Sequence, residues 1–395
     1  MDWRGVEKSD DGKVEVPFNW LFPHYYEAFT VLFRVENALR LFVYVILKER
    51  FGPKWRELEV SSDDERKTTI AALARRRIEQ GRDFGYLSYP IQSPLMHLTS
   101  GELVGLITHD SYWPAFKDYF RAARSVVTLK LQELGIIRNA LAHFRPLSSN
   151  DVEVARQNAN QMLSTVERTL VDLIECRQNV PTNTPDEWYT HLRTLGTDLV
   201  SLVFSQSSEK SWVRITLNQR IVATSGVPDR ERSWQAYNIA CLNTPALLEI
   251  STALRDRALL LTERVSPVRL GKDLRPIGRK QVGLTFSHRV LAEAHVELKK
   301  ALEDALTLVT QEIDLLKEDQ LAKGKLVRLC KFVSRREKSG DSSQWSLDFD
   351  LLRSQPPGGE LPEYWGDVTA GNDFISDTES YPWMPVKVSE EDIPF

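Results

Sequence analysis

Ile137-Arg138-Asn139-Ala140-Leu141-Ala142-His143 sets an arginine, an amide and a histidine within six residues. It closes a segment, from about Trp113 to His143, whose apolar residues recur at helical spacing, with Gly135 as a candidate break and Pro146 as its stop. The neighbouring segments read the same way. In residues 25–50, Phe29, Leu32, Phe33, Leu39, Phe42, Val43 and Ile46 fall three or four apart, and Gly52-Pro53 ends the run. Ser62-Asp63-Asp64-Glu65 reads as a capping box for a helix to about Gln80, stopped by Gly81. Thr99-Ser100-Gly101-Glu102 is a second such box, opening a short helix through Ile107. Ser148-Ser149-Asn150 caps a helix reaching about Arg177, with Leu163, Val166, Leu170 and Ile174 on one stripe. Residues 1–180 are therefore expected to form a helical bundle.

The pattern changes after Asn179–Pro185, a linker-like stretch with two prolines. Trp188–Phe204, Asn243–Val265 and Leu291–Leu321 read as helices. Trp212–Leu217 and Arg220–Thr224 read as strands joined at Asn218-Gln219, and Val282–Phe286 as a further strand. Residues 186–338 are thus a second domain, α+β or mostly α. From Gly340 onward, six prolines, five glycines and many acids predict extended or disordered chain, so 339–395 is set apart as an acidic tail. The fold class expected for the whole is mainly α.

The composition is that of an ordinary globular protein, 42% hydrophobic and 27% charged. No apolar run approaches the roughly 18–20 residues that span a bilayer, and the charged start (Asp2, Arg4, Glu7) does not resemble a signal peptide. The three cysteines are odd in number and far apart, which argues for a reducing, cytoplasmic setting and against a zinc site. The net charge of −4 hides an asymmetry: residues 341–395 hold 12 acids against Arg353 and Lys387, a balance of −10, leaving +6 on residues 1–340. A basic body with an acidic tail fits a protein that meets polyanions; a solubilising tail is the plainer reading.

An arginine shortly before a histidine is weak as a signal by itself. The chain holds a second case, Arg289 before His295, among charged residues that read as a solvated helix face. The first case has an ordered context. Phe33-Arg34-Val35-Glu36-Asn37-Ala38-Leu39-Arg40-Leu41-Phe42, then Phe51-Gly52 and Trp55, then Leu98–Ile107, Trp113-Pro114-Ala115-Phe116 and Leu134–Ser148 follow in sequence. In that order and spacing, residues 25–175 resemble the HEPN superfamily, whose RNase branch carries an Arg-(polar)-x-x-x-His motif. The resemblance implies a helical bundle, a metal-independent endoribonuclease with no cofactor, and a cleft at a homodimer interface. It also implies roles in toxin or anti-phage systems, with an antitoxin or defence-complex partner. Some HEPN toxins carry a tyrosine two residues after the histidine as a modification site; here Arg145 stands there, which puts that form of control in doubt.

The residues themselves bear on the same chemistry. Histidine titrates near neutrality and can act as acid or base. Arginine's planar fork matches phosphate oxygens. Asn139 and His143, four apart, share a helix face, so the amide can hydrogen-bond the imidazole and fix its tautomer. Arg138 and His143 are five apart, about 140° around a regular helix, so the helix must be irregular there or a second copy must complete the site. Arg138, Asn139 and His143 are the candidate catalytic residues. Glu36 or Asn37 is a candidate to orient Arg138 from across the bundle, with Arg145 as a further supporting group. Plainer roles stay open: His143 as a helix-end histidine, Arg138 paired with Glu133, Glu36 and Arg40 as a surface ion pair.

Two basic stretches lie in the second domain. Arg264–Lys280 contains Arg264, Arg269, Lys272, Arg275, Arg279 and Lys280 opposed by Asp273 alone, and Lys323–Lys338 holds seven cations opposed by Glu337 alone. Either can track an RNA backbone or form a solvated face. Trp345, Trp365 and Trp383 among the tail acids suggest a segment that competes with RNA for the basic body. The alternative to an enzyme is a non-catalytic RNA-binding or dimerising HEPN module within a larger complex. No metal and no membrane contact are expected.

Overall fold

The computed structural model describes residues 7–8, 14–15, 24–61, 67–83, 94–143, 145, 147–226, 234–266, 268–318, 323–339 and 342–349. They fall into two compact units, and the boundary between Val171 and Asp172 lies inside a long helix; Phe51–Pro53 group with the second unit.

In the first unit, the short strands β1 (Glu7–Lys8) and β2 (Val14–Glu15) pair antiparallel. Helix α1 (His24–Phe51) follows. Its later turns are buried on nearly every side, with Leu41, Phe42, Val43, Tyr44, Val45 and Leu47 all inaccessible, as befits a helix at the centre of a bundle. Gly52, in the left-handed region at φ 58°, ends it. The 3-10 turn Gly52–Glu57 then buries Trp55 edge-on against Tyr44 at 5.4 Å.

Strands β3 (Glu59–Ser61) and β4 (Lys67–Thr69) form a hairpin. The helix expected from Ser62 begins only at α2 (Ile70–Asp83), where Thr69 Oγ1 accepts the Ala72 N–H at 3.2 Å; the Ser62–Glu65 box lies outside the described residues. Helix α2 also passes through Gly81 without stopping. The capping box at Thr99 does form and opens α3 (Ser100–Thr108).

The segment expected as one helix from Trp113 is divided. It holds α4 (Trp113–Phe116), a 3-10 turn at Lys117–Tyr119, and an extended Phe120 before α5 (Arg124–Ala142). Burying the Phe120 ring requires this break: it stacks on Trp113 at 5.8 Å and meets Phe42 edge-on at 6.1 Å. Gly135 lies inside an uninterrupted α5. Helix α6 (Ser149–Glu175) starts from a reciprocal cap, in which the Ser148 hydroxyl receives the Asp151 N–H at 3.3 Å and the Asp151 carboxylate receives the Ser148 N–H at 2.7 Å. Its buried stripe is Val152, Ala155, Ala159, Leu163, Val166 and Leu170.

The second unit overturns the mainly-α expectation: the chain is mixed α+β. Its elements are β5 (Gln178–Asn179), α7 (Glu187–Leu192), β6 (Val200–Gln206), β7 (Trp212–Arg220), β8 (Val222–Ser225), β9 (Trp234–Leu242), α8 (Thr244–Ile250), α9 (Thr252–Arg257), β10 (Leu260–Val265), β11 (Arg269–Leu270), β12 (Pro276–Ile277), β13 (Arg279–Ser287), α10 (His288–Glu318), β14 (Val327–Ser339) and β15 (Ser342–Phe349). One antiparallel sheet has five strands, in the order β10-β13-β7-β6-β5. A second has four, in the order β15-β14-β9-β8, and β11 pairs with β12 in a hairpin.

Several segments read as helical are therefore partly strand. Residues 200–204 of the expected Trp188–Phe204 helix belong to β6. The Asn243–Val265 segment breaks into two short helices and then β10. Asn218-Gln219 is no turn: both lie within β7, and β8 belongs to the other sheet. Strand β15 occupies the start of the stretch expected to be extended or disordered, paired along its length with β14. Residues 350–395 lie outside the described set.

Helix α10 supplies the long apolar stripe of this core. Leu291, Leu298, Leu302, Leu306, Val309, Ile313 and Leu316 pack with Val213, Ile215 and Leu217 of β7, Val282, Leu284 and Phe286 of β13, and Ala240 and Leu242 of β9. A smaller cluster, with Ile239, Cys241, Val268 and Phe332, fills the other face of the four-stranded sheet. Gln219, fully buried, links the two sheets: its amide donates to the Ala240 carbonyl at 3.2 Å and accepts the Leu242 N–H at 2.7 Å. Among the described residues, no helix is long and apolar enough to cross a membrane.

Candidate active site

The end of α5 sits beside α1 and the start of α3, and one carboxylate gathers all three. Glu36 on α1 ion-pairs with Arg40 one turn on, accepts the Ser100 hydroxyl of α3 at 2.7 Å, and lies with Oε2 3.3 Å from Nε of Arg138. Arg40 is in turn fixed by Asn37, whose Oδ1 accepts at 3.0 Å, and by the carbonyls of Leu95 at 3.1 Å and Leu98 at 3.3 Å. Burial lowers the Arg40 guanidinium below its ordinary value; Glu36 works against that shift, and the Arg138 charge adds to it. Two arginines thus share one acid, so this corner carries an excess positive charge.

Within it, Arg40 and Glu36 are nearly enclosed, at 12% and 13% side-chain exposure, while Arg138 is 38% exposed. Arg138 is therefore anchored at its Nε edge and open to solvent. The capping carboxylate of α3 supports the same corner. Glu102, buried, receives both guanidinium nitrogens of Arg77, at 2.6 and 2.8 Å, and the Thr99 N–H at 2.8 Å. Glu133, the other acid considered for Arg138, is taken up by Lys130 at 3.0 Å and Asn158 at 2.7 Å.

His143 follows the last helical residue, with φ −99° and ψ 15°, and its N–H reaches the Asn139 carbonyl at 3.1 Å. It is exposed, as is Arg145, whose N–H bonds the Ala140 carbonyl at 2.8 Å. The expected side-chain bond from Asn139 to His143 is absent; the Asn139 amide oxygen instead faces Arg138 Nη1 at 3.4 Å. The reason lies in the helix end. His143 leaves helical geometry, so the four-residue spacing no longer sets the two side chains one above the other.

In the second unit the predicted RNA-binding residues separate. Arg269, Lys272, Arg275 and Arg279 are exposed. Lys280 is not available to a ligand: it is fully buried on the core face of β13 and ion-paired with Glu263, which also accepts the Thr244 hydroxyl at 2.6 Å. Strand alternation explains the split, since Arg279 and Lys280 project to opposite faces. Of the second Arg–His pair, Arg289 is exposed and lies 3.7 Å from Glu293, as expected of a solvated helix face, whereas His295 is only 12% exposed: it bonds the Ala292 carbonyl and lies tilted against His191 of α7 at 4.9 Å.

Ser100 is the member of this group that residue type alone does not nominate; its place in the first turn of a capped helix is the available signal. Among the described residues, no three His, Cys, Asp or Glu side chains come together as a metal-binding group. Comparison of the chain with protein-family models, curated proteins and solved structures found no match.

Proposed function

We propose that the chain is a HEPN-type endoribonuclease that cuts RNA without a metal, by attack of the ribose 2′-hydroxyl on the adjacent phosphate. The observation that carries this reading is the ion pair of Glu36 with Arg138 at 3.3 Å, in a motif whose histidine stands exposed at the helix end. Cleavage of this kind needs a base for the 2′-hydroxyl, an acid for the departing 5′-oxygen and cations for the charge on the pentavalent phosphate. His143 suits the proton transfers, and Arg138, held at Nε by Glu36 and touching Asn139 at Nη1, keeps Nη2 for phosphate oxygens. The products are RNA ends with a 2′,3′-cyclic phosphate and a 5′-hydroxyl.

A single His143 cannot serve at once as base and acid on opposite sides of the phosphate. A two-fold dimer that juxtaposes the ends of two α5 helices supplies both. An exposed apolar stripe on α5, with Leu129 at 55% and Ile136 at 69% exposure, is consistent with such an interface. RNA and a second copy are the partners this implies, and a toxin or anti-phage role follows from the resemblance.

A second reading is a non-catalytic HEPN module that binds RNA or dimerises within a larger complex. The unengaged Asn139–His143 pair favours it, because a catalytic imidazole is usually oriented by a neighbour. His143→Ala separates the two. The enzyme reading expects cleavage to be lost while dimerisation and RNA affinity persist; a wild-type chain that cuts no RNA leaves the module reading standing.

A further inference from the structure

The five-stranded sheet has two unlike faces. Val213, Ile215 and Leu217 of β7 point into the core, so Arg214, Thr216, Asn218 and Arg220 point to the other side. Register carries this outer face across the neighbouring strands. Arg220 pairs with Arg279, and Asn218 with Gln281, on β13; Gln281 then pairs with Arg264 on β10. At one end of the sheet, three strands therefore place Arg220, Arg279 and Arg264 on the same outer face. All three are exposed.

Arg220 and Arg279 stand directly opposite each other across an antiparallel pair, an arrangement in which like charges repel. Among the described residues, no carboxylate comes within ion-pair distance of Arg220, Arg264, Arg269, Lys272 or Arg279; Asp273 approaches only Arg275, at 4.0 Å. The β11–β12 hairpin adds Arg269 and Arg275, with Lys272 in its turn. Repelling cations held on a rigid sheet, with no counter-charge among the described residues, lower their energy when an external anion lies across them.

We propose that this end of the outer face, with the β11–β12 hairpin, binds the phosphate backbone of single-stranded RNA. Cross-strand neighbours are about 5 Å apart, and the outermost arginines span two strand spacings, roughly 10 Å in all. That reach covers more than one phosphate. The three sheet cations are all arginines, whose planar forks grip phosphate oxygens in pairs. Asn218, Gln281, Thr216 and Thr262 on the same face offer hydrogen bonds to sugars and bases. The one aromatic residue on this face of β7, β13 and β10, Trp212, is buried at the far end of β7, so recognition at the arginine end runs through the backbone and is indifferent to base sequence. The site does not depend on the cleavage reading.

The test uses the full chain and a labelled 20-nucleotide 2′-O-methyl RNA, which has no free 2′-hydroxyl and cannot be cut by the proposed reaction. Binding is followed by anisotropy between 50 and 200 mM salt. The triple variant Arg220→Ala, Arg264→Ala, Arg279→Ala is expected to bind at least tenfold more weakly at 50 mM. Its slope of log affinity against log salt should fall by about 2, three phosphate contacts at roughly 0.7 each. The single variant Arg279→Glu, which keeps two of the three arginines, is the second probe and should lose a slope of about 0.7 or more. An unchanged slope and affinity in either folded variant would overturn the proposal. Displacement of the RNA by polyglutamate at equal charge concentration would overturn it too, in favour of an acidic protein partner.

Discussion

Glu36 and Arg138 lie on different helices, 102 residues apart in sequence, yet Oε2 of the one is 3.3 Å from Nε of the other. The acid reaches Arg138 while holding Arg40 and Ser100, so the motif's arginine is set by the bundle rather than by α5 alone. Glu36→Gln keeps the shape and removes the charge that two arginines share. It is expected to destabilise the first unit by about 2 kcal/mol, since one partner of a mostly enclosed ion network is lost. Cleavage should fall by roughly 10²-fold if Arg138 shifts by about an ångström. Thermal melting and a single-turnover assay on the same preparation measure both effects.

Lys280 and Glu263 form a buried pair in the second unit. Lys280→Met alone strands the Glu263 carboxylate and is expected to cost about 3–5 kcal/mol. The double variant Lys280→Met, Glu263→Leu should recover most of that loss. Urea denaturation of the three chains checks it, and equal instability of the single and double variants would contradict it.

The Asp151 carboxyl is held below its ordinary value of 3.8, first by the Ser148 N–H and then by the Ser148 hydroxyl. A lowered folded value means that this contribution is complete above pH 3.8 and disappears as the pH falls through the folded value. Asp151→Asn is therefore expected to lower the melting temperature most at pH 6 and least near pH 2. A gap that widens on acidification would contradict the cap.

Burial pushes the Cys176 and Cys241 thiols each up to about 12, and Cys330 is buried as well. A thiol-specific reagent at pH 8 should label none of the three in the folded chain and all three in urea. Fast labelling of the native protein would show that the second unit opens readily.

The sequence was most legible where one periodicity ruled. Helix α1, the Thr99 box and the α6 stripe follow directly from apolar spacing and capping residues. It misled where a short apolar run can serve either period. Leu260–Val265 and Val200–Gln206 follow helical turns and were absorbed into them, although each alternates once inside the sheet. Strand β14 was hidden because residues on both of its faces, Val327 and Phe332 among them, are buried, which erases alternation. At the candidate site, Arg138 and Glu36 could be nominated from the sequence, whereas Ser100 could not. The Asn139–His143 bond was inferred from a helix assumed to stay regular through its last residue.

The central claim is metal-independent cleavage at His143. The most direct measurement is incubation of the purified chain, in EDTA, with total tRNA and mRNA, followed by mapping of the ends. The account predicts fragments with 2′,3′-cyclic phosphate and 5′-hydroxyl termini from wild type and none from His143→Ala. Cleavage that needs Mg²⁺, or that continues unchanged in His143→Ala, would contradict it.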